Sequence, residues 1–160
     1  MRTSLSSAIF VYMKGHTNFY VRFIIYTNFT LHRMAPPRVQ CSLCTFCKNA
    51  EETILHLFVD CDIAKSLWCD FLNNWGRQLC APSTLTGKQI LLGDQNFNLL
   101  LNHLIILIKK FIYDSKLKNK IPTIDAVKVN MTHIKNIEKY IAERNNCLGN
   151  WEKKWGNLNI

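Results

Sequence analysis

The chain has 160 residues, of which 48% are hydrophobic, 11% aromatic and 19% charged. That length fits one domain, and the apolar content supports a packed core, which excludes wholesale disorder. The net charge of +9 and a pI near 9.3 suit an acidic polymer such as nucleic acid, or an anionic membrane surface.

The basic charge is uneven. Residues 1–40 carry five Lys/Arg and no acid, residues 41–100 carry four and six acids, and residues 101–160 carry eleven and five acids. Both ends are basic and the cysteine-rich middle is slightly acidic. A solvated lysine face on helices is the plainer explanation and competes with nucleic-acid contact. Seven cysteines rule out a complete set of intramolecular disulfides. The N-terminal apolar run "AIFVYM" is short for a signal peptide, and no small-residue cleavage site follows it. The longest uncharged run, Gln95–Ile108, contains three asparagines and His103, and is too short and polar to span a bilayer. We expect an intracellular, reducing setting without membrane contact, where close cysteine pairs signal metal more often than disulfide.

In chain order, residues 8–34 mix aromatic and branched side chains. Phe19, Phe23, Ile24 and Tyr26 are placed on one face of an expected helix, although the β-branched content also permits a strand. "APPR", residues 35–38, breaks whatever precedes it. From Leu57, the residues Phe58, Cys61, Ala64, Trp68, Phe71, Leu72 and Trp75 recur at three- and four-residue steps, predicting an amphipathic helix. Asp60 or Asp62 is the expected N-cap and Gly76 the expected stop. Residues 77–96, with Pro82, Gly87 and Gly93, read as an irregular connection with one short turn. A helix is predicted over Phe97–Lys116 with Leu100, Leu104, Leu107, Ile108, Phe111 and Ile112 on one side, and Ile105 and Ile106 widening that surface. Thr123 caps a further helix, Ile124 to about Asn145, with Ile124, Val127, Met131, Ile134, Ile137 and Ile141 as its core face. Gly149 ends it, leaving "WEKKW" as a basic tail. The predicted organisation is an N-terminal helical segment with linker (1–38), a metal knuckle plus helix (39–76), a connection (77–96) and a C-terminal helical pair with tail (97–160).

The chemistry concentrates in "CSLCTFCKNAEETILHLFVDC", residues 41–61. Cys44-x2-Cys47 has the spacing of a metal knuckle, with His56 eight residues past Cys47 by count of the intervening residues and Cys61 four past His56. Three thiolates plus one imidazole, with no open position, describe a structural Zn²⁺ site. Cys41-x2-Cys44 is a rival pair that spacing alone does not dismiss. On an unbroken helix Cys61 would point roughly 140° away from His56, so the helix has to end or kink between them. Cys69, Cys80 and Cys147 stand alone and read as ordinary buried or surface thiols.

The segment Cys44–Trp68 resembles the zinc-binding segment that follows the polymerase domain in reverse transcriptases of non-LTR (LINE-type) retrotransposons. The matching residues are Cys44, Cys47, Glu52-Thr53, His56-Leu57-Phe58, Cys61 and Trp68. The likeness extends to "YTNFTLHRM" (26–34), to residues 100–124, to "IEKYIAERNN" (137–146) and to "KKW" (153–155). It selects Cys44, Cys47, His56 and Cys61 as the ligands and leaves Cys41 a bystander. It implies a mainly α, small helical domain with a Cys/His zinc knuckle inserted between helices, and work on RNA and DNA by the intact protein.

The polymerase of that family needs paired aspartates, and this chain has no Asp-Asp pair; two-metal phosphoryl transfer requires clustered carboxylates. The expectation is a non-catalytic C-terminal fragment of a retrotransposon protein. Its expected nucleic-acid contacts are Lys109, Lys110, Lys116, Lys118, Lys120, Arg144, Lys153 and Lys154, with Trp151 and Trp155 either stacking on unpaired bases or packed on the core. The alternative is a protein-interaction domain that docks on the polymerase domain of a parent protein. A cysteine-based enzyme finds no supporting pattern.

Overall fold

The computed structural model describes residues 43–160. The chain divides into two units, Met1–Gln40 and Cys41–Ile160, and all described residues belong to the second. The segment expected as a helix over 8–34, the "APPR" break and Cys41 lie outside the described residues.

Among the described residues the architecture is helical, with a Cys/His loop preceding the helices. The loop is closed by an isolated antiparallel bridge between Leu43 and Glu51, and the Cys44 amide donates to the Ala50 carbonyl at 2.7 Å. A π-helical turn, His56–Asp60, follows. Helix α1 is Asp62–Phe71, continued by a second π-helical segment, Leu72–Gly76. Helix α2 is Gly87–Leu92, α3 is Leu99–Leu117, α4 is Ile124–Arg144 and α5 is Leu148–Trp155.

Several boundaries follow from local chemistry. Asn98 caps α3 by accepting from the Leu101 amide at 2.7 Å, and Thr123 caps α4 through the Ala126 amide. The connection expected to be irregular over 77–96 instead contains α2, because Thr86 and Gln89 form a reciprocal capping box that satisfies two end donors at once. Neither Asp60 nor Asp62 caps α1: Cys61 occupies the cap position with extended backbone, and Asp62 is the first helical residue. Gly149 does not end an element; it lies inside α5, so the expected basic tail is a helix.

The core is built mainly by α1 and α3. Ala64, Leu67, Trp68, Phe71 and Trp75 of α1 and its extension belong to one buried cluster with Leu101, Leu104, Ile105, Ile108 and Ile112 of α3. Ile105, expected to widen the apolar face, is fully in the core, while Leu100 and Phe111 are only partly buried. Trp68 and Phe71 meet edge to face at 6.2 Å, and Trp68 Nε1 donates to the Phe58 carbonyl at 2.8 Å. That bond satisfies a carbonyl of the π turn and ties it to α1. Helix α2 packs against the same π turn, close enough that Gly87 stands 3.2 Å from Val59 measured at the position of an added Cβ.

Helix α4 departs most from its predicted face. Val127, Met131 and Ala142 are buried, but Ile137 is 44% exposed. The inward register runs through Glu138, not Ile137. The C-terminal residues fold back on this frame: Leu158 is buried, Trp75 Nε1 donates to the Asn159 carbonyl at 2.9 Å, and Lys135 Nζ to the Leu158 carbonyl at 2.6 Å. Among the described residues no helix is long and apolar enough to cross a membrane.

Candidate metal centre

The π turn is what brings the ligands together. The Thr53 hydroxyl accepts from the His56 amide at 3.0 Å and starts the turn. The Cys61 amide donates to the His56 carbonyl at 2.7 Å, a five-residue step that widens the turn. Cys61 then takes φ −62° and ψ 130°, which ends the helical path. The wide turn and the break replace the regular helix that would have separated His56 from Cys61. On the other side of the loop, Lys48 adopts φ 58° directly after Cys47 and reverses the chain.

As a result one donor atom each from Cys44, Cys47, His56 and Cys61 lies within 4.8 Å of the others. Cys44 Sγ and Cys61 Sγ are 3.8 Å apart, and Cys47 Sγ and His56 Nε2 are 3.3 Å apart. Metal–sulfur bonds of about 2.3 Å in a tetrahedron put two sulfurs about 3.8 Å apart, and a sulfur and a nitrogen about 3.6 Å apart. The donors present therefore fit a four-coordinate ion with no open position. Cys44 and Cys61 are buried, and Cys47 and His56 are half-buried.

The thiols differ electrostatically. The Asn49 backbone N–H, helped by His56 and Cys44 and opposed by burial, lowers the Cys47 thiol to about 6. Burial pushes Cys61 up to about 11, against the N–H groups of Ile63 and Ala64 at the start of α1. Metal uptake by such a set displaces thiol protons and is therefore pH-dependent.

The loop is braced from outside. The Glu52 carboxylate accepts from the Thr45 amide and the Thr45 hydroxyl, both at 2.8 Å, and pairs with Lys116 of α3. Burial acts to raise the Glu52 carboxyl, but Lys116 and the two Thr45 donors overcome it and hold it below its ordinary value.

The lysines expected to meet phosphates divide into two sets. Lys109 is buried, its ammonium donates to the Leu91 carbonyl at 2.8 Å, and burial lowers it to about 8. Lys154 is bound to Glu138 at 2.7 Å with 11% of its side chain exposed. Lys116 is committed to Glu52. Each of these three ammonium groups already has a partner inside the fold. Lys110, Lys118, Lys120, Arg144 and Lys153 are exposed, with Lys110 next to Asp114 and Arg144 over the Tyr140 ring. Trp155 is fully buried and so is not available for base stacking. Trp151 is partly buried and donates to the Lys135 carbonyl at 3.1 Å.

A second polar cluster escaped sequence reading. Glu138 lies 3.2 Å from His103 Nε2 and also accepts from Trp155 Nε1 at 2.6 Å, besides its bond to Lys154. Burial alone would raise Glu138; His103 and Lys154 hold it down at about 2. The available signal was an acid in helical register with Val127, Met131 and Ala142.

Residues 11–68 match the family model described as zinc-binding in reverse transcriptase. All four clustered ligands lie inside that stretch, which ends at Trp68, the residue that holds the π turn through Phe58. That stretch is similar to a zinc-binding region of the reverse-transcriptase type; α2 to α5 lie beyond it. No curated protein and no solved structure matches the chain.

Proposed function

We propose that the chain is a non-catalytic, zinc-stabilised nucleic-acid-binding region of a LINE-type retrotransposon reverse transcriptase. The observation that carries the reading is the convergence of Cys44, Cys47, His56 and Cys61 within 4.8 Å inside a stretch that matches a reverse-transcriptase zinc-binding family. When bound, Zn²⁺ supplies a four-way crosslink of the loop and no reaction centre. Cys44 and Cys47 hold one side of the site, and the π turn presents His56 and Cys61 to the other. Elemental analysis of the purified full chain tests this: one zinc per chain supports it, and no retained zinc, with no uptake on titration, rejects it.

The proposed nucleic-acid contacts are Lys110, Lys118, Lys120, Arg144 and Lys153, the members of the expected set that lie exposed. Lys153 stands at a shallow groove of about 400 Å³ shared with Gln78, Asn98, Asn150 and Asn157. If about four such cations meet single-strand phosphates, log affinity falls with log salt at a slope near −3. These positions carry point charges without an ordered set for base edges, so sequence selectivity is weak. The second reading is docking on the polymerase domain of a parent protein. It is favoured by Leu117 and Ile121, which are 63% and 62% exposed at the end of α3. A salt slope near zero selects that reading.

A further inference from the structure

We propose that Glu52 is a positioning residue for the metal ligands, and that through Lys116 it makes ion occupancy and the docking of α3 mutually dependent. The inference rests on the metal-centre reading above and goes beyond it. Thr45 sits between the ligands Cys44 and Cys47, in the loop whose shape sets where both sulfurs point. Its amide and hydroxyl both end on one Glu52 carboxylate. Glu52 directly precedes Thr53, which starts the π turn carrying His56. One side chain thus joins the two halves of the ligand set without touching the ion.

The third partner comes from far along the chain. Lys116 lies in the last turn of α3, and its ammonium also stands 5.8 Å from the Tyr113 ring centroid. Lys116 and Glu52 are 28% and 17% exposed, so the pair is partly withdrawn from water and less screened than a surface pair. A cation on the carboxylate strengthens its hold on the Thr45 donors by keeping it ionised. Groups that orient a ligand shell in this way change metal affinity about 10–100-fold when removed. Whatever stabilises the loop geometry stabilises the pair, and the effect is reciprocal. Lys116 is accordingly assigned to the metal centre, not to phosphate contact.

The test is zinc affinity of the full chain, measured by competition with a chromophoric chelator. Wild type is compared with Lys116→Ala, Lys116→Arg, Glu52→Gln, the Glu52→Gln/Lys116→Ala double variant, and Lys128→Ala as a control of equal charge at an exposed position of α4. Lys116→Ala is expected to weaken zinc binding about tenfold, Lys116→Arg to restore most of it, and Lys128→Ala to leave it within twofold. The double variant is expected to be no weaker than Glu52→Gln alone, since both remove one link. Thermal unfolding of each zinc-loaded variant identifies any chain that fails to fold, and if Lys116→Ala is one, Glu52→Gln decides: a loss of about tenfold supports the coupling, affinity within twofold of wild type overturns it. Unchanged affinity in Lys116→Ala overturns the coupling while wild-type uptake leaves the metal centre standing. No uptake by wild type overturns both.

Discussion

The Cys/His loop and the Glu138 cluster lie in one unit and are held by opposite means. The Cys/His loop gathers four donors from an 18-residue span, Cys44 to Cys61, on a short stretch with little apolar cover beyond Phe46, Leu57 and Phe58. The Glu138 cluster gathers His103, Lys154 and Trp155 from three helices inside the core. Thiolates this close repel one another, so a bound cation is what would hold the first cluster together as charged donors. The second contains its own counter-charge, Lys154 against Glu138, and is complete as the chain folds. A buried pair of that kind adds little over apolar packing, yet breaking it is costly because the remaining charge is stranded. One cluster is thus conditional on a ligand and the other on helix packing.

The largest expected effect breaks the loop. Structural zinc in small peptides contributes roughly 10–16 kcal/mol, against a typical domain margin of about 5–15 kcal/mol. Cys61→Ala is therefore expected to abolish tight zinc binding and to lower Tm sharply, whereas Cys80→Ala, at an exposed position, leaves both nearly unchanged. Calorimetry with zinc analysis checks this, and equal shifts in the two variants would contradict the contrast.

Next in size is Glu138→Ala, which leaves Lys154 and Trp155 without their acceptor under a buried surface. A loss of about 3–5 kcal/mol is expected, read as a fall in the denaturant midpoint. Zinc affinity in the folded state should change far less than with Cys61→Ala. A large loss of zinc binding in this variant would show that the two clusters are not independent.

Acid sharpens the same comparison. Glu138 titrates near 2 when folded and near 4.5 when free, so the unfolded chain takes up the proton first. Its contribution is complete above about pH 4.5 and is lost as pH falls to about 2, on the order of 3 kcal/mol across that window. His103, depressed below 6.5 by burial despite the opposing pull of Glu138, contributes fully above about pH 6.5 and progressively less below it. Glu138→Gln is expected to flatten the lower window relative to wild type, and urea titrations of both proteins at matched pH measure the difference. Acid release of metal is common to both chains and drops out of it.

The smallest effect lies outside both clusters. Gly93 ends α2 at φ +76°, and an added Cβ would stand 2.7 Å from Asn102 Oδ1, the oxygen that accepts from the Asp94 amide at 3.0 Å. Gly93→Ala is expected to cost about 1–2 kcal/mol with zinc affinity unchanged, as chemical denaturation and metal titration would report.

The four donors that converge were legible in the sequence because the residue types are chemically narrow and their spacing is local. The need for a break between His56 and Cys61 was legible too, from helix geometry alone; its form, a π turn followed by extended Cys61, was not. Glu138 was hidden for a different reason. His103 and Glu138 are 35 positions apart (138 minus 103), and each reads as an ordinary polar residue on an amphipathic helix. The isoleucine pattern on α4 pointed to Ile137, one position from the residue that turns inward.

Sequence by itself determined what acts within a turn or two of chain: the four donors, the cap Thr123, and the long spans of α3 and α4. Tertiary structure alone decided how far each helix is rotated against the core, and with it which lysines reach solvent. Lys109 and Lys110 are adjacent in sequence, yet one donates into the fold and the other stands in water. A helix rotates as a unit to fill the volume its neighbours leave, and neighbours distant in the chain set that volume. Charge composition counts both lysines alike; burial separates them.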